Sequence, residues 1–290
     1  MGLAWALGAC GDPETAMARG DRLWADSSYA EALAEYRLGY QRNQGSDELL
    51  ARVAHAYAVS GEFQRAQQYY GELLKRSPNY TDQAIFDYLT LAKQAQARSD
   101  RYGLAGAVEA AVVLRPGLPV SDLAAGLGRY YTSTGDSTKA LEYYERALGA
   151  APPDSVAGLL FEIATLHETR GNCADAITMF NAFRARTNDG EKADQARWHV
   201  GSCAWNLARK AVQSGDTARA LAHMKTVTEL GVPQNVLEEV WFHRGELLLG
   251  QGRRDEALES YIRSLDHNRT GTGQLADRAR RRIDELRFGR

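Results

Sequence analysis

The chain has 290 residues, with 35 lysine and arginine residues against 37 aspartate and glutamate residues. This near balance argues against nucleic-acid binding, because that function usually requires a strongly basic face. Alanine, leucine, glutamate, arginine and glutamine recur in runs, and alternating strand patterns of valine, isoleucine and threonine are missing. The composition therefore predicts an almost wholly helical protein. No apolar stretch approaches the roughly 20 residues that a membrane-spanning helix needs.

A short pattern recurs along the chain: a glycine, usually an acidic or amide residue after it, then an alanine followed four residues later by a large side chain. Variants begin at Gly61, Gly135, Gly171, Gly215 and Gly252. Repetition at a spacing of a few tens of residues is typical of solenoids, whose units bury their apolar faces only against neighbouring units. The repetition favours binding over catalysis as the function.

The alanine and the large residue lie on one face of the second helix of each predicted unit, because they are four positions apart. The pairs are Ala32/Tyr36, Ala66/Tyr70, Ala140/Tyr144, Ala176/Phe180, Ala220/Met224 and Ala257/Tyr261. The first helices carry small residues at Gly20, Ala54, Ala92, Gly128, Ala164, Ala208 and Gly245. Small residues allow a neighbouring helix to approach, and the large partner fills the gap beyond.

These patterns resemble the tetratricopeptide repeat family over residues 14–269. The resemblance implies an all-α fold, a right-handed superhelical solenoid of about seven helix-turn-helix repeats. The match is loose in the third unit, where Leu104 and Val108 replace the alanine and aromatic pair. The sixth unit has an unusually long predicted first helix, from about Glu191 to Gln213.

After the repeats, residues 270–290 predict a capping helix and a basic tail. Leu275, Ala279, Ile283 and Leu286 share one helix face, and charged residues lie opposite or beside them. A solenoid needs such a helix, because its last repeat has no neighbour to cover it.

By the same resemblance, the first helices form a concave wall that holds an extended or helical partner peptide. Residues next to the small first-helix residues, or about one turn away, are predicted to line this groove. They are Trp24, His55, Leu89, Lys93, Arg129, Phe161, Trp205, Arg209, Phe242 and Glu246. Aromatic anchors with basic side chains favour a peptide with apolar side chains and some negative charge. The wall lacks the lysine and asparagine pair of chaperone-binding members, which argues against a chaperone-tail clamp.

Residues 1–13 are a separate segment. Leu7-Gly8-Ala9-Cys10 resembles the lipobox of bacterial lipoproteins, in which cleavage before Cys10 exposes this cysteine for lipid attachment. The residue after Cys10 is not aspartate, which by this resemblance favours the outer membrane of a Gram-negative cell. The apolar run is short and carries no positive charge, so it is interpreted as a truncated signal segment; a start codon assigned too late would explain this. A short helical tail with a chance cysteine is the alternative.

Four residues invite a metal hypothesis: His167, Cys173, His199 and Cys203. They lack the close Cys-x-x-Cys spacing of structural zinc sites, so neither a metal nor a cofactor is predicted. A Cys173–Cys203 disulfide is an open alternative in an oxidising periplasm, although the sequence favours two packed thiols. No phosphate-binding loop, nucleophile elbow or zinc-protease motif is found, so no catalytic residue or small-molecule substrate is predicted.

The sequence therefore predicts a non-enzymatic scaffold on the periplasmic side of the outer membrane. It would be anchored through Cys10 and would recruit or stabilise envelope complexes through its groove. One alternative is a soluble cytoplasmic adaptor with the same groove and no lipid. Another is an enzyme subunit in which the solenoid positions a substrate.

Overall fold

The computed structural model describes residues 15–268 and 270–289, and all regular structure within these ranges is helical. The chain divides into two compact units, of which the first ends at Asp136 and the second begins at Ser137. The helices of the first unit are α1 (Ala16–Ala25), α2 (Tyr29–Arg42), α3 (Asp47–Val59), α4 (Phe63–Arg76), α5 (Thr81–Ala97), α6 (Arg101–Leu114) and α7 (Ala124–Thr134). Those of the second unit are α8 (Ser137–Ala150), α9 (Pro153–Thr169), α10 (Cys173–Arg184), α11 (Gly190–Gln213), α12 (Thr217–Leu230), α13 (Leu237–Gly250), α14 (Arg254–Asp266) and α15 (Gln274–Phe288).

The helices pack in consecutive pairs. In the first unit α1 packs on α2, α3 on α4 and α5 on α6, and in the second unit α9 packs on α10, α11 on α12 and α13 on α14. Contacts between these pairs fall mainly between elements adjacent in sequence, as the one-dimensional build of a repeat array requires. The predicted all-helical fold of helix-turn-helix pairs is confirmed. The division of the chain at residues 13 and 269 stays a prediction.

Each predicted alanine and large-residue pair lies in the core, and no member is more than 3% exposed. The reason is visible at the two glycines that face a tyrosine. A Cβ atom at Gly20 would lie 2.5 Å from the Tyr36 ring, and one at Gly245 would lie 2.7 Å from the Tyr261 ring. The aromatic ring of the second helix therefore occupies the space that a side chain at the glycine of the first helix would fill.

The two loosely matching units reach the same close packing by other means. In the third unit Leu104 and Val108 are buried, and a Cβ atom at Gly126 of α7 would lie 2.3 Å from the Leu104 side chain. In the sixth unit α11 has the predicted length, and its Gly201 lies against the main chain after α12. A Cβ atom there would lie 2.0 Å from the Val232 carbonyl oxygen.

A glycine follows the end of five first helices. Gly61, Gly135, Gly171, Gly215 and Gly252 have φ angles between 75° and 83°. This left-handed conformation costs glycine little and is the usual way to close a helix. The following second helix then starts within two residues, which keeps the hairpin tight.

The predicted capping helix is α15. Ala276, Ala279 and Ile283 are buried, and Leu275 and Leu286 pack beside the cluster that holds Phe242 and Tyr261. The Arg278 guanidinium lies over the Phe242 ring at 4.6 Å, which adds a cation–π contact. The helix therefore covers the α13–α14 pair as a cap should.

A carboxylate next to each tyrosine-facing glycine completes the packing. Beside Gly245, Glu246 accepts a hydrogen bond of 2.6 Å from the Tyr261 hydroxyl. Arg282 of α15 donates to both oxygens of the same carboxylate, at 2.9 and 3.1 Å. Burial alone would raise the pKa of Glu246, but these hydrogen bonds outweigh it and hold the pKa below its usual range.

The same arrangement recurs in the first unit, beside Gly20. Asp21 accepts a hydrogen bond of 2.8 Å from the Tyr36 hydroxyl. Arg52 of α3 donates to both Asp21 oxygens, at 2.7 and 3.1 Å. Burial, followed by the bond to Asp21, raises the pKa of Tyr36 to about 12. A glycine, an acid, a tyrosine and an arginine thus tie one helix pair to the next helix.

None of the described helices combines the length and the apolar character that crossing a membrane would require.

The contact at Gly245 gives a stability prediction. Gly245→Ala is expected to lower the free energy of unfolding by about 1 to 3 kcal/mol, because the new methyl group overlaps the Tyr261 ring. Gly158→Ala is the matched control in α9, where no atom lies within 4 Å of the new methyl group. It is expected to stabilise by roughly 0.5 to 1 kcal/mol through helix propensity. Urea unfolding measures both, and equal midpoints for the two variants would contradict the packing argument.

The Glu246–Arg282 pair gives a pH prediction. Glu246→Gln is expected to cost about 1 to 2 kcal/mol at neutral pH. Because the folded-state pKa of Glu246 is lowered, the ionised carboxylate contributes its stability above the ordinary value of 4.5. The contribution is lost as pH falls from that value through the lowered folded pKa. The gap in unfolding free energy between wild type and Glu246→Gln should therefore narrow below about pH 4.5.

The control for this experiment is Glu229→Gln on α12, whose carboxylate is 65% exposed and lies 3.6 Å from Lys225. An exposed pair of this kind contributes under about 1 kcal/mol, so its removal should change stability little at any pH. If the difference in unfolding free energy between wild type and Glu246→Gln stays constant through acid pH, the carboxylate charge is not the source of the stability.

Candidate partner-binding surface

Four predicted groove residues lie on the first helices of the first unit. Trp24 of α1 and His55 of α3 are half-buried, and their rings are 5.1 Å apart. Leu89, also half-buried, and Lys93, exposed, lie one turn apart on α5. We call these four residues the first-helix surface of the first unit. Arg129 is exposed on α7, and its place in a groove stays a prediction.

A buried carboxylate lies beneath this surface. Asp87 of α5 is 2% exposed, and its Oδ2 atom is 2.8 Å from Nδ1 of His55. The Tyr70 hydroxyl donates a short hydrogen bond to the same oxygen. Burial, followed by the Asp87 charge, raises the pKa of Tyr70 well above its usual range, so the phenol stays a donor. The His55 ring is therefore held in place from below.

Sequence reasoning missed Asp87. Its signal was an isolated acid inside an apolar stretch of a first helix, between Ile85 and Tyr88. A charged residue in such a position is rarely buried without partners, so its burial implies hydrogen bonds from other helices. Tyr70, already placed in the core by its repeat pattern, was the partner to seek.

Lys93 is the exposed lysine of the first-helix surface. Its Nζ atom lies 3.1 Å from Asp122 Oδ2, and the two side chains are 62% and 58% exposed. Exposed pairs of this kind are weak, since water screens both charges. Lys93 can therefore exchange Asp122 for another carboxylate at little cost.

In the second unit, two of the predicted aromatic anchors are wrong. Phe242 is fully buried and Trp205 is 6% exposed. Phe242 packs on Tyr261, with a centroid distance of 5.6 Å, under Arg278 of the capping helix. On α13 the side chains of Glu239 and His243 are more accessible, at 48% and 40% exposed. The prediction therefore assigned two core positions, one on α11 and one on α13, to the groove surface.

Glu246 is also placed differently from the prediction. Its carboxylate is already bound by Arg282 and Tyr261, so it holds the capping helix instead of facing a partner. Two other predicted residues are more accessible. Phe161 is half-buried and packs on Phe180 and Phe183, at centroid distances of 5.4 and 5.1 Å.

Arg209 is exposed on α11 and covers Trp205. Its guanidinium carbon lies 5.8 Å from the Trp205 ring centroid, and Nη2 donates to Asn206 at 2.6 Å. The indole of Trp205 is thus a support for the charged group above it. Whether Arg209 or Phe161 contacts a partner stays a prediction.

Two of the residues weighed for a metal site, His199 and Cys203, lie beside the same carboxylate, that of Glu168. His199 stacks parallel on Phe180 at 4.9 Å, and its Nδ1 atom lies 2.7 Å from Glu168 Oε2, without the alignment of a hydrogen bond. Cys203 Sγ lies 3.8 Å from the other Glu168 oxygen. In residues 15–268 and 270–289, no group of three or more His, Cys, Asp or Glu side chains is arranged to hold a metal ion. The prediction that no metal is bound stays a prediction.

An unpredicted cavity of about 800 Å³ lies in the second unit, between α11 and the loops that precede α13 and α15. Trp198 and Leu275 provide apolar walls, and Asn235, Glu238 and His267 provide polar ones. Trp198 is 46% exposed, and no repeat pattern in the sequence marks it.

Cys10 and the lipobox-like segment lie outside the described residues.

Comparisons with known proteins agree with the helical hairpins. Models of the tetratricopeptide repeat match residues 122–154 and 206–272. No curated protein sequence matches the chain significantly. Similar solved structures include the Naa15/Naa10 complex bound to HypK-THB, at 15% identity and a TM-score of 0.46. That match covers 93% of this chain, which spans 38% of the other.

Two further structures match over most of both chains. A tetratricopeptide repeat protein from Parabacteroides merdae has 13% identity and a TM-score of 0.37, over 93% of this chain and 97% of its own. The TPR2AB domain of yeast Sti1 in complex with pHSP90 has 11% identity and a TM-score of 0.38, over 94% and 96%. From the family models and the helix pairs, we conclude that residues 122–154 and 206–272 of this chain are tetratricopeptide repeats.

Proposed function

We propose that the chain is a non-enzymatic scaffold that binds a partner peptide on its first helices. The observation that carries this proposal is the first-helix surface of the first unit. Its Trp24 and His55 rings contact each other, and His55 is fixed by the buried Asp87. An accessible aromatic and polar surface whose side chains are already ordered binds with little loss of conformational entropy.

The chemistry of this surface selects a class of partner. Trp24 and Leu89 offer apolar contact area, and Lys93 offers a charge that its exposed pair with Asp122 holds only weakly. A peptide with an apolar side chain and a carboxylate about one helical turn apart would match Leu89 and Lys93 together. Solenoid repeats are a suitable frame for such a site, because their stacked helices create extended binding surfaces.

We also propose that Cys10 carries a lipid anchor, and that the protein stabilises or recruits complexes on the periplasmic side of an outer membrane. The support is the Leu7-Gly8-Ala9-Cys10 motif and the small number of residues between it and the first helix. Helix α1 begins at Ala16, with Thr15 as its cap. The five residues from Cys10 to Thr15 reach at most about 18 Å, which would hold the first repeat near the membrane surface. A soluble cytoplasmic adaptor is the alternative that the experiments below separate from this one.

A photo-cross-linking experiment tests the binding surface. A photoreactive residue is introduced at Leu89 of α5, or as a control at Val113 of α6, which is 74% exposed on a second helix. In the native cell we expect a defined protein adduct at position 89 and none at position 113, analysed by mass spectrometry. Equal adducts at both positions, or an adduct at position 113 alone, would place the binding surface elsewhere.

Charge reversal then measures the contribution of Lys93. Against the cross-linked partner segment as a synthetic peptide, Lys93→Glu is expected to weaken binding by about 1 to 2 kcal/mol, since an attraction becomes a repulsion. Lys75→Glu on α4 is the matched control and should leave affinity unchanged within error. Isothermal titration calorimetry measures both, and an equal loss in the control variant would reduce the effect to overall charge.

The anchor is tested separately. The gene with its native upstream sequence is expressed in a Gram-negative host, as wild type and as Cys10→Ser. We expect a mass increase from acyl chains and partition into detergent for wild type, and neither for Cys10→Ser, because several acyl chains together give stable membrane binding. An unmodified, water-soluble wild-type protein would reject the anchor and favour the cytoplasmic adaptor, with the peptide-binding proposal unaffected.

A further inference from the structure

Two cysteines that are far apart in sequence lie at the same level of one helical hairpin. Cys173 is the first residue of α10, and Cys203 lies in the middle of α11. The two helices pack on each other and are joined by residues 185–189. Cys173 precedes this connection by 12 residues and Cys203 follows it by 14. At a rise of about 1.5 Å per residue, this difference corresponds to an offset of only about 3 Å along the hairpin.

The two thiols belong to one core cluster. Cys173 is 5% exposed and Cys203 is fully buried, and both pack with Phe180 and Phe183. Both cysteines are free. Burial, followed by the neighbouring Cys173 thiol, raises the pKa of the Cys203 thiol well above its usual range. Cys203 is therefore a buried, protonated thiol.

Cys173 differs from Cys203 in its access to solvent. A cavity of about 400 Å³ between the start of α10 and the last turns of α11 is lined by Cys173, but not by Cys203. Glu168, Asn206, Arg209 and Lys210 provide its polar walls. A small polar molecule in this cavity therefore meets Cys173 before the fully buried Cys203.

We propose that Cys173 and Cys203 are a redox-modification site, in which a peroxide oxidises Cys173 and Cys203 then closes a disulfide between α10 and α11. In the first step the Cys173 sulfur attacks the peroxide. An S–O bond forms, the O–O bond breaks, and one water leaves when the oxidant is hydrogen peroxide. In the second step the Cys203 sulfur attacks the sulfenic acid. The S–S bond forms, the S–O bond breaks, and the Cys203 proton leaves with the hydroxyl group as a second water. Two electrons pass from the two thiols to the peroxide.

This site is independent of the proposed binding function and of the lipid anchor. A disulfide between α10 and α11 would hold that hairpin closed. It would also lower the conformational entropy of the unfolded chain, which stabilises the folded state. The oxidised protein should therefore unfold at a higher temperature than the reduced protein, and a thiol reductant should reverse the difference.

The test uses the full chain with Cys10→Ser, which leaves Cys173 and Cys203 as the two thiols. Folded, reduced protein is treated with hydrogen peroxide, alkylated in denaturant without reductant, and measured by intact mass and peptide mapping. We expect the loss of two hydrogen masses, no alkylation, a peptide that joins Cys173 to Cys203, and full recovery of both thiols after dithiothreitol.

Two single variants assign the order of the steps. With Cys203→Ser, peroxide should leave a sulfenic acid on Cys173 that dimedone traps. With Cys173→Ala, Cys203 should stay a thiol over the same time, and circular dichroism checks that both variants keep their helices. Two thiols that remain alkylatable after peroxide, oxidation beyond sulfenic acid without a disulfide, or dimedone on Cys203 in the Cys173→Ala variant would overturn the proposal.

Discussion

The close approach of a small residue on one helix to a large side chain on its partner is the contact on which each helix pair depends. At Gly20 and Gly245 this contact leaves no room for even one methyl group. Protein interiors are packed so densely that such a contact fixes both the separation and the register of two helices. Once the register is fixed, the residues on either side of the glycine are placed as well. The first-helix surface of the first unit and the core are therefore set by the same few positions.

Polar groups then use the register that packing has set. The tyrosine ring fills the space beside the glycine, and its hydroxyl lies at the edge of the core. There the hydroxyl meets an acid, which is the residue that directly follows the glycine in the first helix. At Asp21 and at Glu246 this acid also binds an arginine from the helix that follows. A buried or half-buried carboxylate is costly unless it is paired, so the arginine both satisfies the charge and links successive elements. In the α3–α4 pair the acid and its basic partner are exchanged. His55 follows the small residue Ala54, and Asp87 of the next first helix, α5, lies 2.8 Å from His55 and accepts from Tyr70, on the surface proposed to meet a partner.

The sequence allowed the fold to be predicted because its strongest signals are local. The spacing of Ala66 and Tyr70, or of Ala257 and Tyr261, follows directly from helical geometry, and their burial followed. Exposure on the first helices was harder to predict, because one position separates Phe242, in the core, from His243, at the surface. Both are large rings, and nothing in their residue types distinguishes the two faces. Asp87 was missed for a related reason, since its partners come from other helices and leave no pattern in its own segment.

The capping helix also has a consequence for association between molecules. Without α15, the pair formed by α13 and α14 would end in an apolar surface that contains Phe242 and Tyr261. Such a surface is what each repeat offers to the next, so a bare end would be a template for the repeat array of a second molecule. By placing Arg278 over the ring of Phe242 and closing the surface with Ile283, the chain converts an apolar face into a charged, solvated one. The fifteen residues of α15 thereby oppose end-to-end association through this face of the α13–α14 pair.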